Sequence, residues 1–141
     1  MFKKIMVPVD LAHLDALKKS LNVAGDLARH YDAALCYVGV TTSQPGAVAR
    51  TPEEYGKKLE AFARSHSPDN GQAPCTRVYI SHDPVADLDD ILVKAVGDVG
   101  ADLVVMATHL PKHLDAIMPA NGSKVAAHTA ASVFLVRPGA G

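Results

Sequence analysis

Residues 103–137 read LVVMATHLPKHLDAIMPANGSKVAAHTAASVFLVR. An apolar strand, Leu103 to Ala107, runs into a loop. A helix opens at Asn121-Gly122-Ser123, and a second buried strand, Ser132 to Val136, closes the stretch. Strands that lack polar alternation are expected where a sheet is covered on both faces. A strand whose loop leads to a helix N-terminus can hold an anion, because the amides of a first helical turn are free and the macrodipole adds partial positive charge.

Working outward, Lys4 to Val9 (KIMVPV) is another apolar run. It ends at Asp10, with Pro8 where a strand can spare a ladder donor. Leu14, Leu17, Leu21, Ala24 and Ala28 then recur at helical spacing, with Lys18, Lys19, Asp26 and Arg29 on the water side. Ala34 to Val40 (ALCYVGV) is a second buried strand, completing a right-handed βαβ unit. After a loop with turn residues Pro45 and Gly46, Thr51-Pro52-Glu53-Glu54 is a helix start: N-cap, proline in the first turn, and a glutamate completing a capping box. Tyr55, Leu59 and Phe62 mark that helix's apolar face. Thr76 to Ser81 alternates, with Val78 and Ile80 opposite Arg77 and Tyr79, which places this strand toward a sheet edge. Asp83-Pro84 opens a further helix whose stripe is Val85, Leu88, Ile91, Leu92, Ala95 and Val99, closed by Gly100. The order β-α-β-α-β-α-β-α-β predicts one α/β domain over residues 1–141, with a doubly wound, five-stranded parallel sheet between helical layers. Such sheets bind ligands outside the carboxyl ends of their strands, where strand order reverses.

Composition sets the outer limits. The chain has 141 residues, enough to bury a real core, and 48% hydrophobic with 21% charged residues fits a globular protein. A net charge of −1 gives no general pull toward nucleic acid or an anionic membrane, and neither partner is expected. No apolar run approaches the roughly 20 residues of a membrane helix, and the N-terminus reads as a strand rather than a signal peptide. Cys36 and Cys75 lack CxxC spacing and are expected as two reduced thiols in a cytoplasmic protein.

Several α/β chemistries lack their residues. There is no G-x-x-x-x-G-K-[ST] loop, no G-x-G-x-x-G after a strand and no G-x-S-x-G elbow. A phosphoacceptor receiver is also missing its acidic cluster and its lysine after the last strand, where Arg137-Pro138 stands. His109 and His113 are four residues apart but have no third ligand nearby, so no metal is expected.

Over essentially its whole length the chain resembles the universal stress protein family. KKIMVPVD matches the family's opening strand with its terminal Asp, and Val38-Gly39-Val40 the end of its second strand. His82-Asp83-Pro84 followed by ADLDDIL is similar to the G-D-P before the third helix. ADLVVMATH resembles A-D-L-I-V-M-G-x-H, and Ser132 to Pro138 the closing S-V-L-V-V-R. The resemblance implies an adenine nucleotide alpha hydrolase-like three-layer sandwich that takes ATP or AMP across the ends of its first and fourth strands. Carried over residue by residue, Pro8, Val9, Asp10, Val40, Met106 and His109 fall on the base and ribose side, and Ala107, Asn121, Gly122 and Ser123 on the phosphate side.

The family's phosphate loop, a G-x-x-G run followed by G-[ST], is where this sequence departs. Ala107 replaces the first glycine and Leu110 the second. One branch of the family lays without gaps onto Thr108 to Pro111 and Ala116 to Asn121, so that Pro119 and Ala120 replace the G-[ST] pair. The alternative register uses Gly122-Ser123 as that pair, with a longer loop; the gapless one is favoured because it also places His109, Pro111, Asn121, Val125 and His128. Ala107 makes positive φ harder to reach by about 1 kcal/mol, Leu110 puts bulk where backbone would approach phosphate, and Pro119 lacks an N–H donor. Asn121, Gly122, Ser123 and Lys124 still offer capping, hydroxyl and cationic groups.

These readings lead to a universal-stress-like protein that binds AMP or ATP as a regulatory ligand, with no catalytic residue to name. A homodimer through Ser132 to Val136 is implied by the resemblance. The alternative is a nucleotide-free member acting as a protein-interaction module. A slow ATP hydrolase is a third reading, without a positioned base.

Overall fold

A computed structural model describes residues 1–107 and 121–137. Five strands form one parallel sheet: β1 (Lys4–Pro8), β2 (Ala34–Thr41), β3 (Cys75–Ile80), β4 (Leu103–Ala107) and β5 (Ser132–Val136), in spatial order β3-β2-β1-β4-β5. Four helices connect them: α1 (Lys18–Tyr31), α2 (Pro52–His66), α3 (Pro84–Val99) and α4 (Asn121–His128). The expected doubly wound α/β architecture is the one observed, with β3 at a sheet edge as its alternation predicts.

Each face of the sheet has its own apolar layer. Ile5, Val7, Val9, Leu35, Tyr37 and Val105 pack against Ala24 and Ala28 of α1 and Leu59, Phe62 and Ala63 of α2. Met6, Cys36, Val38, Val104 and Met106 pack against Leu92, Ala95, Val96 and Val99 of α3 and Val125 of α4. Successive strand residues therefore alternate between two cores rather than between core and water, which is why β1 and β4 carry no polar alternation.

Local signals explain the helix ends. Thr51 Oγ1 accepts from the Glu54 amide at 3.1 Å, and Asp83 Oδ1 accepts from the Ala86 amide at 3.2 Å. Pro52 and Pro84 follow in the first turns. Gly100 closes α3 in the left-handed region at φ 70°. Asp32 closes α1 in the same region, at φ 53°, a conformation aspartate tolerates better than most residues. At the amino end of the sheet, the Asp102 carboxylate accepts from the Lys3 amide at 2.9 Å and the Lys4 amide at 3.1 Å, fastening β1 beside β4.

Two local expectations are corrected. The helix read from Leu14 onward begins as a 3-10 segment, Leu11–Leu17, with a non-helical residue at His13, and the α-helix proper starts at Lys18. Leu11, Leu14 and Leu17 are spaced by three, a repeat that a 3-10 turn brings onto one face. The second correction concerns the cysteines, expected as separate thiols. They stand opposite one another on β2 and β3 and are bonded, with Cα atoms 4.3 Å apart.

Candidate functional site

The reversal of strand order lies between β1 and β4. After β1 the chain passes to the face covered by α1 and α2, and after β4 to the face covered by α3 and α4. In open parallel α/β sheets such a switch point is where a ligand crevice lies, outside the carboxyl ends of the two strands. Among the sequence-predicted residues, Pro8 ends β1, Val9 and Asp10 follow it, Val40 lies near the end of β2, and Met106 and Ala107 end β4. Met6 pairs with Val104, so Met106 stands level with Pro8, and the Val9 amide donates to Val38 O at 2.8 Å. These residues thus share one end of three adjacent strands. Val9 and Met106 are each only 4% exposed, with side chains in opposite core layers. What they can offer a ligand is main-chain hydrogen bonding, not side-chain contact.

Asp10 is an exposed polar group at this edge. Its Oδ1 accepts from the Ala12 amide at 3.0 Å, capping the 3-10 segment, and its Oδ2 lies 2.8 Å from His13 Nδ1. The hydrogen bond to Asp10, reinforced by its charge, raises the His13 pKa above the ordinary 6.5. Beside this pair, the Leu11 amide donates to the Tyr55 hydroxyl at 3.4 Å. Tyr55 is buried, its phenol is pushed above 10.0 chiefly by that burial, and the Asp10 charge adds to the shift. Its ring fits because β2 carries Gly39 beneath it: a Cβ there would lie 2.7 Å from Tyr55 Cε1.

On the other side of the crevice, Asn121, Gly122 and Ser123 form the first turn of α4. Lys124, read from the sequence as a cation for this turn, points instead to α3, where its Nζ is 3.2 Å from Asp90 Oδ1. His109 and the altered loop positions Leu110, Pro119 and Ala120 lie outside the described residues, as does His113. Among the described residues no three of His, Cys, Asp or Glu converge as metal ligands. None of the described helices is long and apolar enough to cross a membrane.

The model of the Universal stress protein family matches residues 1–137. The chain belongs to this family. Solved structures of similar fold include a universal stress protein in complex with cAMP, 19% identical with a TM-score of 0.69, covering 98% of this chain and 99% of that one. Another, from Archaeoglobus fulgidus in complex with dAMP, is 18% identical with a TM-score of 0.61, covering 94% and 96%. A third, a universal stress protein family member from Arabidopsis thaliana with AMP bound, is 17% identical with a TM-score of 0.65, covering 98% and 93%. No curated protein matches the chain by sequence.

Sequence reasoning missed His13 and Tyr55 at this edge. His13 follows Asp10 by three residues, a spacing that one tight turn brings together. Gly39 inside an apolar strand was the available signal for Tyr55, because an interior strand glycine often marks another group's close approach.

Proposed function

We propose that this universal stress protein binds an adenine mononucleotide across the carboxyl ends of β1, β2 and β4, as a regulatory ligand and not as a rapidly turned-over substrate. The observation that carries this reading is the strand-order reversal between β1 and β4, with Asp10 on one lip of the crevice. The ligands of the three similar structures, cAMP, dAMP and AMP, each carry a single phosphate group. That suits a chain whose base and ribose positions follow the family while Ala107, Leu110 and Pro119 depart from its phosphate loop. Main-chain groups of Val9, Val40 and Met106 would meet the nucleoside, Asp10 would accept from a hydroxyl or amino group, and the first turn of α4 would face the phosphate. ATP is the weaker ligand in this scheme, since the altered loop has fewer donors for further phosphates. The protein acts in the cytoplasm, in the stress response its family is named for, and pairs with a second copy through β5.

Mass spectrometry of ligand released from the purified protein on denaturation tests the proposal, together with thermal melting in AMP, cAMP, ATP and GMP. An adenine mononucleotide at about 100 times its Kd adds about 2.7 kcal/mol, visible as a melting point several degrees higher. Asp10→Ala abolishes that rise, whereas Lys57→Ala, on the exposed face of α2, preserves it. No shift with any adenine nucleotide at millimolar concentration overturns the proposal. It would leave the second reading, a nucleotide-free protein-interaction module, which the bulk of Leu110 and the missing donor at Pro119 favour.

A further inference from the structure

The chain contains two cysteines, and the fold brings both to one place. Cys36 and Cys75 are 39 residues apart in sequence yet lie directly opposite each other in the β2–β3 ladder, at the first of its paired positions. That ladder continues in register to Thr41 and Ile80, and the cysteines sit under Leu92, Val96 and Val99 of α3. We propose that Cys36 and Cys75 form a reversible redox site, a dithiol that closes and opens by exchange with a low-molecular-weight thiol such as glutathione. The inference is independent of nucleotide binding.

Two features point to reversible exchange instead of a permanent cross-link. The ladder, and not the sulfur–sulfur bond, sets the spacing of the two residues, so reduction leaves the sulfurs side by side. A pair held this way has a high effective concentration for reclosing. The two residues also differ in exposure. Cys36 is 0% exposed, whereas Cys75, at the head of an edge strand, is only partly buried. Exchange therefore enters at Cys75. In oxidation, the Cys75 thiolate attacks one sulfur of glutathione disulfide and expels the first glutathione thiolate. The Cys36 thiolate then attacks Cys75 Sγ and expels the second. Two thiol protons pass to the two glutathione molecules, and the two electrons lost by the cysteines reduce the glutathione disulfide. Reduction runs the same steps backwards. The closed bond fastens edge strand β3 to β2 covalently, whereas the open pair leaves β3 held by ladder bonds and packing alone.

The test equilibrates the native protein at a series of reduced-to-oxidised glutathione ratios, traps free thiols with iodoacetamide in denaturant and reads intact mass. The expected titration is a single two-electron transition between doubly alkylated and unalkylated protein, with faster hydrogen exchange of the Arg77 to Ile80 amides in the reduced form. In Cys36→Ser a single glutathione adduct forms on Cys75, and in native Cys75→Ser the buried Cys36 stays unmodified. Two alkylated cysteines under excess glutathione disulfide would overturn the proposal. So would a bond that survives excess reduced glutathione, equal exchange of β3 in both forms, or a glutathione adduct on Cys36 in native Cys75→Ser.

Discussion

The ring of Tyr55 rests on the backbone of Gly39, so closely that a Cβ at residue 39 would come within 2.7 Å of Tyr55 Cε1 and 3.4 Å of Leu59 Cδ2. Tyr55 and Leu59 are both buried, so neither can swing into water to make room. Gly39→Ala is expected to destabilise the protein by about 1–3 kcal/mol, the usual range for overpacking a filled core. Urea denaturation measures it. In a Tyr55→Leu background the penalty should shrink, because the clashing ring atom is gone; an unchanged penalty would show that the strain lies elsewhere.

Asp102 sits at the opposite end of the sheet from the candidate site, accepting from the Lys3 and Lys4 amides. Asp102→Ala removes both acceptors and is expected to cost about 1–3 kcal/mol in chemical denaturation, reduced because the Lys3 amide is exposed and can turn to water. The nucleotide-dependent rise in melting point should be unaffected. Loss of that rise would mean that β1 and β4 no longer hold their carboxyl ends in place.

His13 supplies a pH-dependent element. Its hydrogen bond to Asp10 raises its pKa above 6.5, so the folded state favours the protonated ring. The stabilisation is full below the ordinary histidine value and is lost as pH rises through the raised one. NMR titration should place the His13 midpoint above 6.5 in the wild type and nearer that value in Asp10→Asn. A midpoint at or below 6.5 in the wild type would contradict the contact.

At the β5 edge, Phe134 and Leu135 are 44% and 43% exposed. Consecutive strand residues point to opposite faces, so apolar surface flanks both sides of a strand with one unpaired edge. If β5 pairs with a second copy, Phe134→Glu should shift the protein to monomer in sedimentation experiments without changing its far-ultraviolet circular dichroism. A wild-type protein that is monomeric at every accessible concentration would remove the dimer from the proposal.

Much of the fold was legible because its signals are local. Thr51-Pro52 and Asp83-Pro84 cap helices through contacts within one turn, and Gly100 closes α3 within its own last turn. The apolar runs of β1 and β4 against the alternation of β3 separate central strands from one edge, but the equally apolar β5, read as buried, is the other edge, with Phe134 and Leu135 exposed. What escaped depends on register and packing between distant segments. No local pattern encodes that Cys36 lands opposite Cys75, or that Tyr55 lies over Gly39. The 3-10 segment was missed because Leu14, Leu17 and Leu21 satisfy α-helical spacing almost as well, and no local pattern marks the kink at His13 within it. Of the candidate site, Asp10 and the strand ends were readable as positions, but the core-facing side chains of Val9 and Met106 were not.

The two rims of the sheet are unlike, and this bears on how large an assembly can grow. β5 presents Phe134 and Leu135 along its open rim, whereas β3, although Ile80 at its end is exposed, carries Arg77 exposed in mid-strand and keeps Tyr79 tied to Asp98 by a 2.7 Å hydrogen bond. Charge on an edge strand discourages a further strand from adding there. If two molecules join β5 to β5, the contact covers Phe134 and Leu135 and leaves the two β3 edges outermost. In such a pair any further strand would have to add beside Arg77, which opposes growth beyond two.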